Sequence, residues 1–246
     1  MRNTEAALVG ALEPLADGMV IAVAGSPPED LPVRLLERIA ASRLSHLRLL
    51  CMQGALEHPA VGQLVQRGHV VAVTQACHEP GATFFLTTDE GEQVQVEWLL
   101  YEEMAEGLRA TAGGLTDFYS PGEVHTTVRR PSKRQEQGRP RAMRAGEEVF
   151  AHKAALQCDV ALLLVPEADL AGNLRLDPTG SDDGERALIR AMADAAAHTV
   201  AETREPARTA RLMSRNVGVP ASSSIQVIRP TAPGSSWWRR RLSSRR

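Results

Sequence analysis

"CDVALLLVP", residues 158–166, is the stretch that decides the fold. Its apolar run from Val160 to Val165 is unbroken, with no polar residue at alternate positions. A strand with one wet face alternates, whereas one covered on both faces reads as continuous Val and Leu, as in a parallel sheet between helical layers. The run is far shorter than the roughly 18–20 residues of a membrane span. Working outward, "MVIAVAG" (19–25) is a second short buried strand, closed by a glycine. "HLRLLCM" (46–52), "HVVAVTQ" (69–75), His198–Thr203 and "SSIQVIRP" (223–230) read as further strands. "GEQVQVEWL" (91–99) alternates weakly and reads as extended.

Helical patterns separate these strands. Residues 4–16 place Leu8, Val9 and Leu12 on one side, with Thr4 as N-cap. "LPVRLLERIAAS" (31–42) puts Leu31, Leu35, Leu36 and Ile39 on one face, with Pro32 in its first turn. "AVGQLVQRG" is a short helix with Gly68 past its end, and "EEMAEGLRATAGG" (102–114) stops at a double glycine. "GERALIRAMADAAAHTVAETRE" (184–205) is an Ala-rich helix running into a strand. The expected fold class is therefore α/β, a mainly parallel central sheet covered by helices on both faces.

The 246 residues suffice for a sizeable core. Aromatics make up only 4%, so that core must consist mainly of Ala, Leu and Val. The formal net charge of −2 gives no global bias toward nucleic acid or a membrane surface, and neither is expected as a partner. Three cysteines, Cys51, Cys77 and Cys158, without paired spacing suit a reducing cytoplasm, and no apolar signal segment opens the chain. The expected organisation is one domain over 1–230, with a basic polar excursion near 127–147 ("RRPSKRQEQGRPRAMR" at its centre) and a disordered basic tail over 231–246.

Three segments, in order, resemble the α subunit of the family I coenzyme A transferases, the 3-oxoacid CoA-transferase type. "AGGLTDFYSPGEVHT" (112–126) is similar to that family's "AGG…FY.P.G…T" run. "CDVALLLVPEADLAGNLRLDPTGSD" (158–182) is similar to its "aDfAlv.a..AD..GNl.f" strand–turn–strand, and "MADAAAHTVAETRE" (192–205) to its "maaAa..tIvevee". "LADGMVIAVAG" (15–25) and "VPASSSIQVI" (219–228) fall where the family has corresponding strands, so the resemblance runs from about residue 5 to 230. It implies the transferase fold and a β subunit of similar fold, in a heterodimer or heterotetramer. It also implies a coenzyme A thioester as substrate, with no bound cofactor and no metal. In that family the β subunit supplies the glutamate that attacks the acyl-CoA, and the α subunit supplies acyl-pocket walls and oxyanion contacts.

The site residues follow from the same segments. After "MVIAVA" the family has a glycine-rich loop; here Gly25 and Ser26 are followed by Pro27, Pro28 and Glu29. Two prolines remove N–H donors and stiffen the turn. The loop is either a reshaped pocket wall or a plain strand-to-helix turn. "TQACHEPG" (74–81) gathers Cys77, His78 and Glu79 just past a strand end, where open α/β sheets place ligands. Cys77 is a nucleophile candidate or a small buried filler, His78 and Glu79 are candidates for the acyl pocket, and Glu79 is also a candidate catalytic carboxylate.

In "LLYEEMAEGLRA" (99–110), Leu100 or Tyr101 stands where the family often has a glutamine near the thioester carbonyl, with Glu102 and Glu103 beside it. These carboxylates serve either as a general base or as solvent-facing first-turn residues favoured by the helix dipole. Gly113 and Gly114 permit a tight turn. Phe118 and Tyr119 wall the pocket, meet the β subunit or pack in the core. Asn173, in the "ADLAGN" turn, is chiefly structural and lies at the site's edge.

Three functional readings remain open at this point. The first is the α half of a CoA-transferase-like enzyme acting on an acyl-CoA or acyl-thioester. The second is a transferase-fold hydrolase or lyase that cleaves a C–C or thioester bond with an α-subunit glutamate. The third is a non-catalytic partner-stabilising or ligand-sensing protein.

Overall fold

The computed structural model describes residues 2–26, 30–79, 81–121, 142–145, 148–177, 183–204 and 211–229. Its centre is an eight-stranded sheet. The strands are β1 (Val20–Gly25), β2 (Leu47–Cys51), β3 (Val70–Cys77), β4 (Phe84–Thr87), β5 (Gln93–Leu100), β9 (Val160–Val165), β12 (His198–Thr203) and β13 (Ile225–Ile228), in the order β13-β12-β9-β1-β2-β3-β5-β4. All run parallel except β4, which pairs antiparallel with β5. The decisive run, β9, is buried along its whole length and lies between β1 and β12.

The helices are α1 (Arg2–Leu12), α2 (Val33–Ala40), α3 (Pro59–Gln66), α4 (Tyr101–Ala112) and α5 (Asp183–Ala195). From β1 the strand order advances through β2 and β3 to β5. It then returns to the other side of β1 for β9, β12 and β13. A right-handed crossover places its helix on one face when the order advances and on the opposite face when it reverses. The two core layers divide accordingly. Leu8, Leu35, Leu36, Ile39, Val61 and Leu64 of α1–α3 pack on Ile21, Val23, Leu49 and Leu162. Tyr101, Met104, Leu108, Leu188 and Met192 of α4 and α5 pack on the other face. The second face is paved with small residues, Ala22, Ala24, Ala76, Ala161 and Ala201, so its helices are seated by alanines. This is the aromatic-poor core that the composition demands.

Element boundaries shift by one to a few residues from the sequence reading, and some assignments change. The first helix starts at Arg2, so Thr4 lies inside it and is not its cap. Pro32 is the N-cap of α2 and offers no side-chain cap. The 119–147 excursion is bordered by pairing: β6 (Asp117–Pro121), β7 (Ala142–Ala145) and β8 (Glu148–Ala154) form a separate antiparallel sheet in the order β6-β8-β7. Residues 122–141, with most of the basic segment, and the tail from 230 onward lie outside the described residues. β10 (Glu167–Ala168) and β11 (Leu174–Arg175) form the small hairpin expected of "ADLAGN".

The three-stranded sheet docks on α4 through a glycine. A Cβ at Gly107 would lie 2.8 Å from Leu156 Cγ. Gly107 O accepts from Leu156 N (3.0 Å), and Thr111 Oγ1 donates to Leu156 O (2.7 Å). A mid-helix glycine costs about 1 kcal/mol against alanine; here it permits the close approach. At the end of α4, Gly114 adopts φ +74° while Gly113 remains at φ −80°. Leu115 N donates to Ala110 O and Gly114 N to Thr111 O, the paired bonds of a left-handed helix cap. Only the second glycine of the pair is conformationally required.

Candidate functional site at the carboxyl edge of the sheet

Every parallel strand ends on the same side, so the sheet has one carboxyl edge, where open α/β sheets bind ligands. The strand order reverses between β1 and β9, which makes that crevice the topological switch point. Along the edge run the ends of β12, β9, β1, β2, β3 and β5, spaced about 4.8 Å apart.

One cluster lies at the ends of β2, β3 and β5. Tyr101, the first residue of α4, is 2% exposed, and its hydroxyl accepts from Gln53 N just beyond β2 (3.3 Å). His78, exposed beyond β3, packs its ring against Tyr101 at a centroid distance of 4.9 Å, tilted by 41°. Three strand ends are thus tied through one phenol. Cys77 is buried, and its thiol donates to Leu99 O (3.3 Å). Burial pushes this thiol above its ordinary value, and the nearby Glu103 carboxylate pushes it further. A protonated, occupied thiol fits the filler reading. Glu79 is exposed.

The two glutamates of α4 part company. Glu102 faces solvent in the first turn. Glu103 turns back, accepts from Leu100 N (3.3 Å) to close the helix's N-terminus, and binds Lys153 Nζ of β8 at 2.5 Å. One turn on, Glu106 accepts from Ser120 Oγ (2.5 Å). Phe118 and Tyr119 of β6 point to opposite faces of their sheet. Phe118 is paired with Lys153 on the side facing α4. Tyr119 lies on the other side, its ring 5.2 Å from that of His152, whose Nε2 is 3.3 Å from Asp117 Oδ1.

The second cluster surrounds the switch point. Gly25 ends β1, paired with Leu164. Ser26 is fully buried: its N–H donates to Leu164 O (2.9 Å), its Oγ accepts from Asp177 N (2.6 Å), and its carbonyl accepts from Arg204 (2.9 Å). Arg204, just past β12, also pairs with Asp30. Pro27, Pro28 and Glu29 lie outside the described residues. Glu202 of β12 is 3% exposed and accepts from Leu35 N in the first turn of α2 (3.1 Å), supplying the cap that Pro32 cannot. Burial raises its carboxyl to about 7, against the opposing pull of Arg34 and the Leu35 N–H, with Glu37 adding to the rise.

Asn173 belongs to a structural knot. Its Nδ2 donates to Asp169 Oδ2 (2.8 Å), its N–H to Asp169 Oδ1 (2.9 Å), and its Oδ1 accepts from Ala221 N (2.9 Å). Asp169 also accepts from Leu212 N (2.9 Å), and its carbonyl from Arg229 (2.5 Å). Burial pushes the Asp169 carboxyl up, but the hydrogen bonds from Asn173, Leu212 and Ala171 outweigh it and hold it below the usual range. Among the described residues no group of three or more His, Cys, Asp or Glu side chains is placed to hold a metal, and no helix is long and apolar enough to cross a membrane.

The sequence reading did not single out Lys153, Gln53, Asp30, Glu202 or Arg204. One signal was available for Glu202. In "HTVAET" it shares a strand face with Val200, so an acid occupies a core-facing position.

The mainly parallel sheet between two helical layers is a fold shared with solved CoA transferases. A solved acyl-CoA transferase from Escherichia coli O157:H7 (YdiF), in a thioester complex with CoA, superposes with a TM-score of 0.62 over 92% of this chain and 49% of that chain, at 13% identity. A variant of the decarboxylase AibA/AibB gives 0.58 over 92% and 82%, at 22% identity. In sequence, the chain is similar to the first of the lettered subunits of the succinyl-CoA:3-ketoacid coenzyme A transferase of Xanthomonas campestris pv. campestris, 27% identical over 172 residues. That match covers 70% of this chain and 66% of the relative, just under two thirds of its length. No family model matches the chain. The resemblance to a CoA-transferase subunit thus holds in sequence, and the fold is shared with a solved CoA transferase.

Proposed function

We propose that this chain is the α-type half of a CoA-transferase-like enzyme acting on an acyl-CoA, with the attacking glutamate on a β-type partner. The observation that carries this is the state of the reactive groups at the carboxyl edge. The Cys77 thiol is buried and held protonated, Glu103 is bound to Lys153 and the Leu100 N–H, and Glu102 points to solvent. Such an edge offers walls and donors for an acyl group, and its nucleophile comes from elsewhere. Two relatives support a second half. The Xanthomonas relative is by name a single subunit of its transferase, and the E. coli acyl-CoA transferase chain is about twice the length matched here.

In this reading the partner's carboxylate attacks the thioester carbonyl and releases the CoA thiolate. The thiolate then attacks the resulting anhydride on the glutamyl side, giving a glutamyl-CoA thioester and freeing the acyl carboxylate. Tyr101 and His78 line the acyl side, with Glu79 next to His78, whereas Gly113 and Gly114 close the far end of α4, about 18 Å along the helix from Tyr101. Gly25 and Ser26, both buried, back the wall toward β9.

Intact-mass spectrometry of the assembled complex with acyl-CoA tests this. The partner should gain the mass of a CoA thioester while this chain's mass is unchanged. Glu102→Gln and Glu103→Gln should each retain exchange within about tenfold, because general-base loss costs about 10²–10⁴. Loss of more than a hundredfold, with no adduct on the partner, would instead establish the hydrolase or lyase reading.

A further inference from the structure

At the carboxyl edge, Arg204 binds both flanks of the connection between β1 and α2. Its terminal nitrogen donates to Ser26 O (2.9 Å) on the strand side and pairs with the Asp30 carboxylate on the helix side. Its own backbone is fixed, since Arg204 N donates to Val165 O (3.1 Å) at the end of β9. Two residues earlier on the same strand face, Glu202 holds the first turn of α2 through Leu35 N. Ser26 is further pinned by Leu164 O and Asp177 N. The end of β12 therefore fixes where β1 stops and where α2 starts.

We propose that Arg204 is a positioning residue: it sets the place of the buried Gly25–Ser26 turn that backs the switch-point edge of the sheet, and through that backing the range of acyl groups the enzyme accepts. This rests on the CoA-transferase-like reading above. The arginine itself argues against a purely stabilising role. Among the described residues its buried Nε has no hydrogen-bond partner, a cost that an apolar side chain in its place would not carry. What arginine adds is a charged donor, its Nη2, that meets acceptors on two different segments and ties them to each other. Ser26 contributes its carbonyl, and so its backbone, to that arrangement; its hydroxyl is already engaged by Asp177 N. The turn is therefore placed by β12, a strand two positions away in the sheet.

The test uses the complex with its β-type partner and the variants Arg204→Met, Arg204→Lys and Asp30→Asn. Hydrogen exchange by mass spectrometry should show amides of residues 24–26 and 30–36 exchanging about tenfold or more faster in Arg204→Met, which loses the contacts to both Ser26 O and Asp30. Lysine should restore part of the protection, and β3 and β5 amides should be unchanged. In the same complexes, the ratio of kcat/KM for a short against a longer acyl-CoA should shift by at least about fivefold in Arg204→Met, carried mainly in KM, since a methylene in a pocket is worth about 10–200-fold. Unchanged exchange at 24–36 overturns the proposal, as does faster exchange spread over the whole sheet. Local loosening with an unchanged acyl ratio overturns its selectivity part. If the wild-type complex transfers no CoA from any acyl-CoA while local loosening is found, the functional reading fails and the positioning of the turn stands.

Discussion

Replacing Glu202 by glutamine should stabilise this protein, and only above a certain pH. In the fold the carboxyl is 3% exposed, with its charge favoured by Arg34 and the Leu35 N–H and disfavoured by burial and Glu37. Burial dominates and lifts it from 4.5 to about 7. An acid that binds its proton more tightly when folded gives full stability below its unfolded value and loses it as pH rises through the folded one. Wild-type stability should therefore decline between about pH 4.5 and 7 and then level off. At about 1.4 kcal/mol per pH unit, the ceiling for this loss is about 3–4 kcal/mol, and water entry and relaxation lower it.

Glutamine has nearly the same shape, keeps an acceptor for Leu35 N and cannot ionise, so it should recover most of that loss at pH 8 and little at pH 5. For a chain of this size the gain at pH 8 corresponds to a melting temperature higher by roughly 3–10 °C. Thermal melts of both proteins from pH 5 to 8.5 measure it. A difference that does not grow with pH, or a glutamine variant less stable than wild type at pH 8, would refute the reasoning.

Other outcomes follow from single contacts. Gly114→Ala should cost about 1 kcal/mol in urea unfolding, because φ +74° suits glycine, whereas Gly113→Ala, at φ −80°, should cost less than half as much. Asp169→Ala leaves the Leu212 and Asn173 donors without an acceptor and should cost at least about 3 kcal/mol, enough to lower soluble yield. All three cysteines are buried, with Cys51 and Cys158 pushed up to about 12 and Cys77 also raised. A thiol reagent at pH 7 should therefore leave the folded chain unmodified and label all three after denaturation.

The layers of this fold were legible because burial on both faces leaves a direct mark on sequence. "CDVALLLVP" and "MVIAVAG" admit no alternating strand, and the helices between them carry clear apolar faces. The pairing of β6 with β8 was not legible, since β8 lies beyond a polar excursion and the segment just after it docks on α4 at Gly107. A glycine in "EEMAEGLRA" gives no hint that Leu156 will approach it. At the site, the Cys77–His78–Tyr101 neighbourhood was visible because consecutive strand ends converge in any parallel sheet. The switch-point cluster was not, because Arg204 meets Ser26 across 178 residues of sequence and Glu202 meets Leu35 across 167. Local patterns carry no record of such contacts. Glu103 shows the limit in another form: the sequence allows a base or a solvent-facing carboxylate, and the fold gives it a third position, closing α4 and gripping Lys153.

The most direct test of the account is CoA transfer from a labelled acyl-CoA to a free carboxylic acid, measured for the isolated chain, for a β-type partner alone, and for the two co-expressed and purified together. The account predicts a stable complex in which only the pair transfers CoA and the partner carries the thioester intermediate. Transfer by the isolated chain, or a pair that neither associates nor binds acyl-CoA, would contradict it.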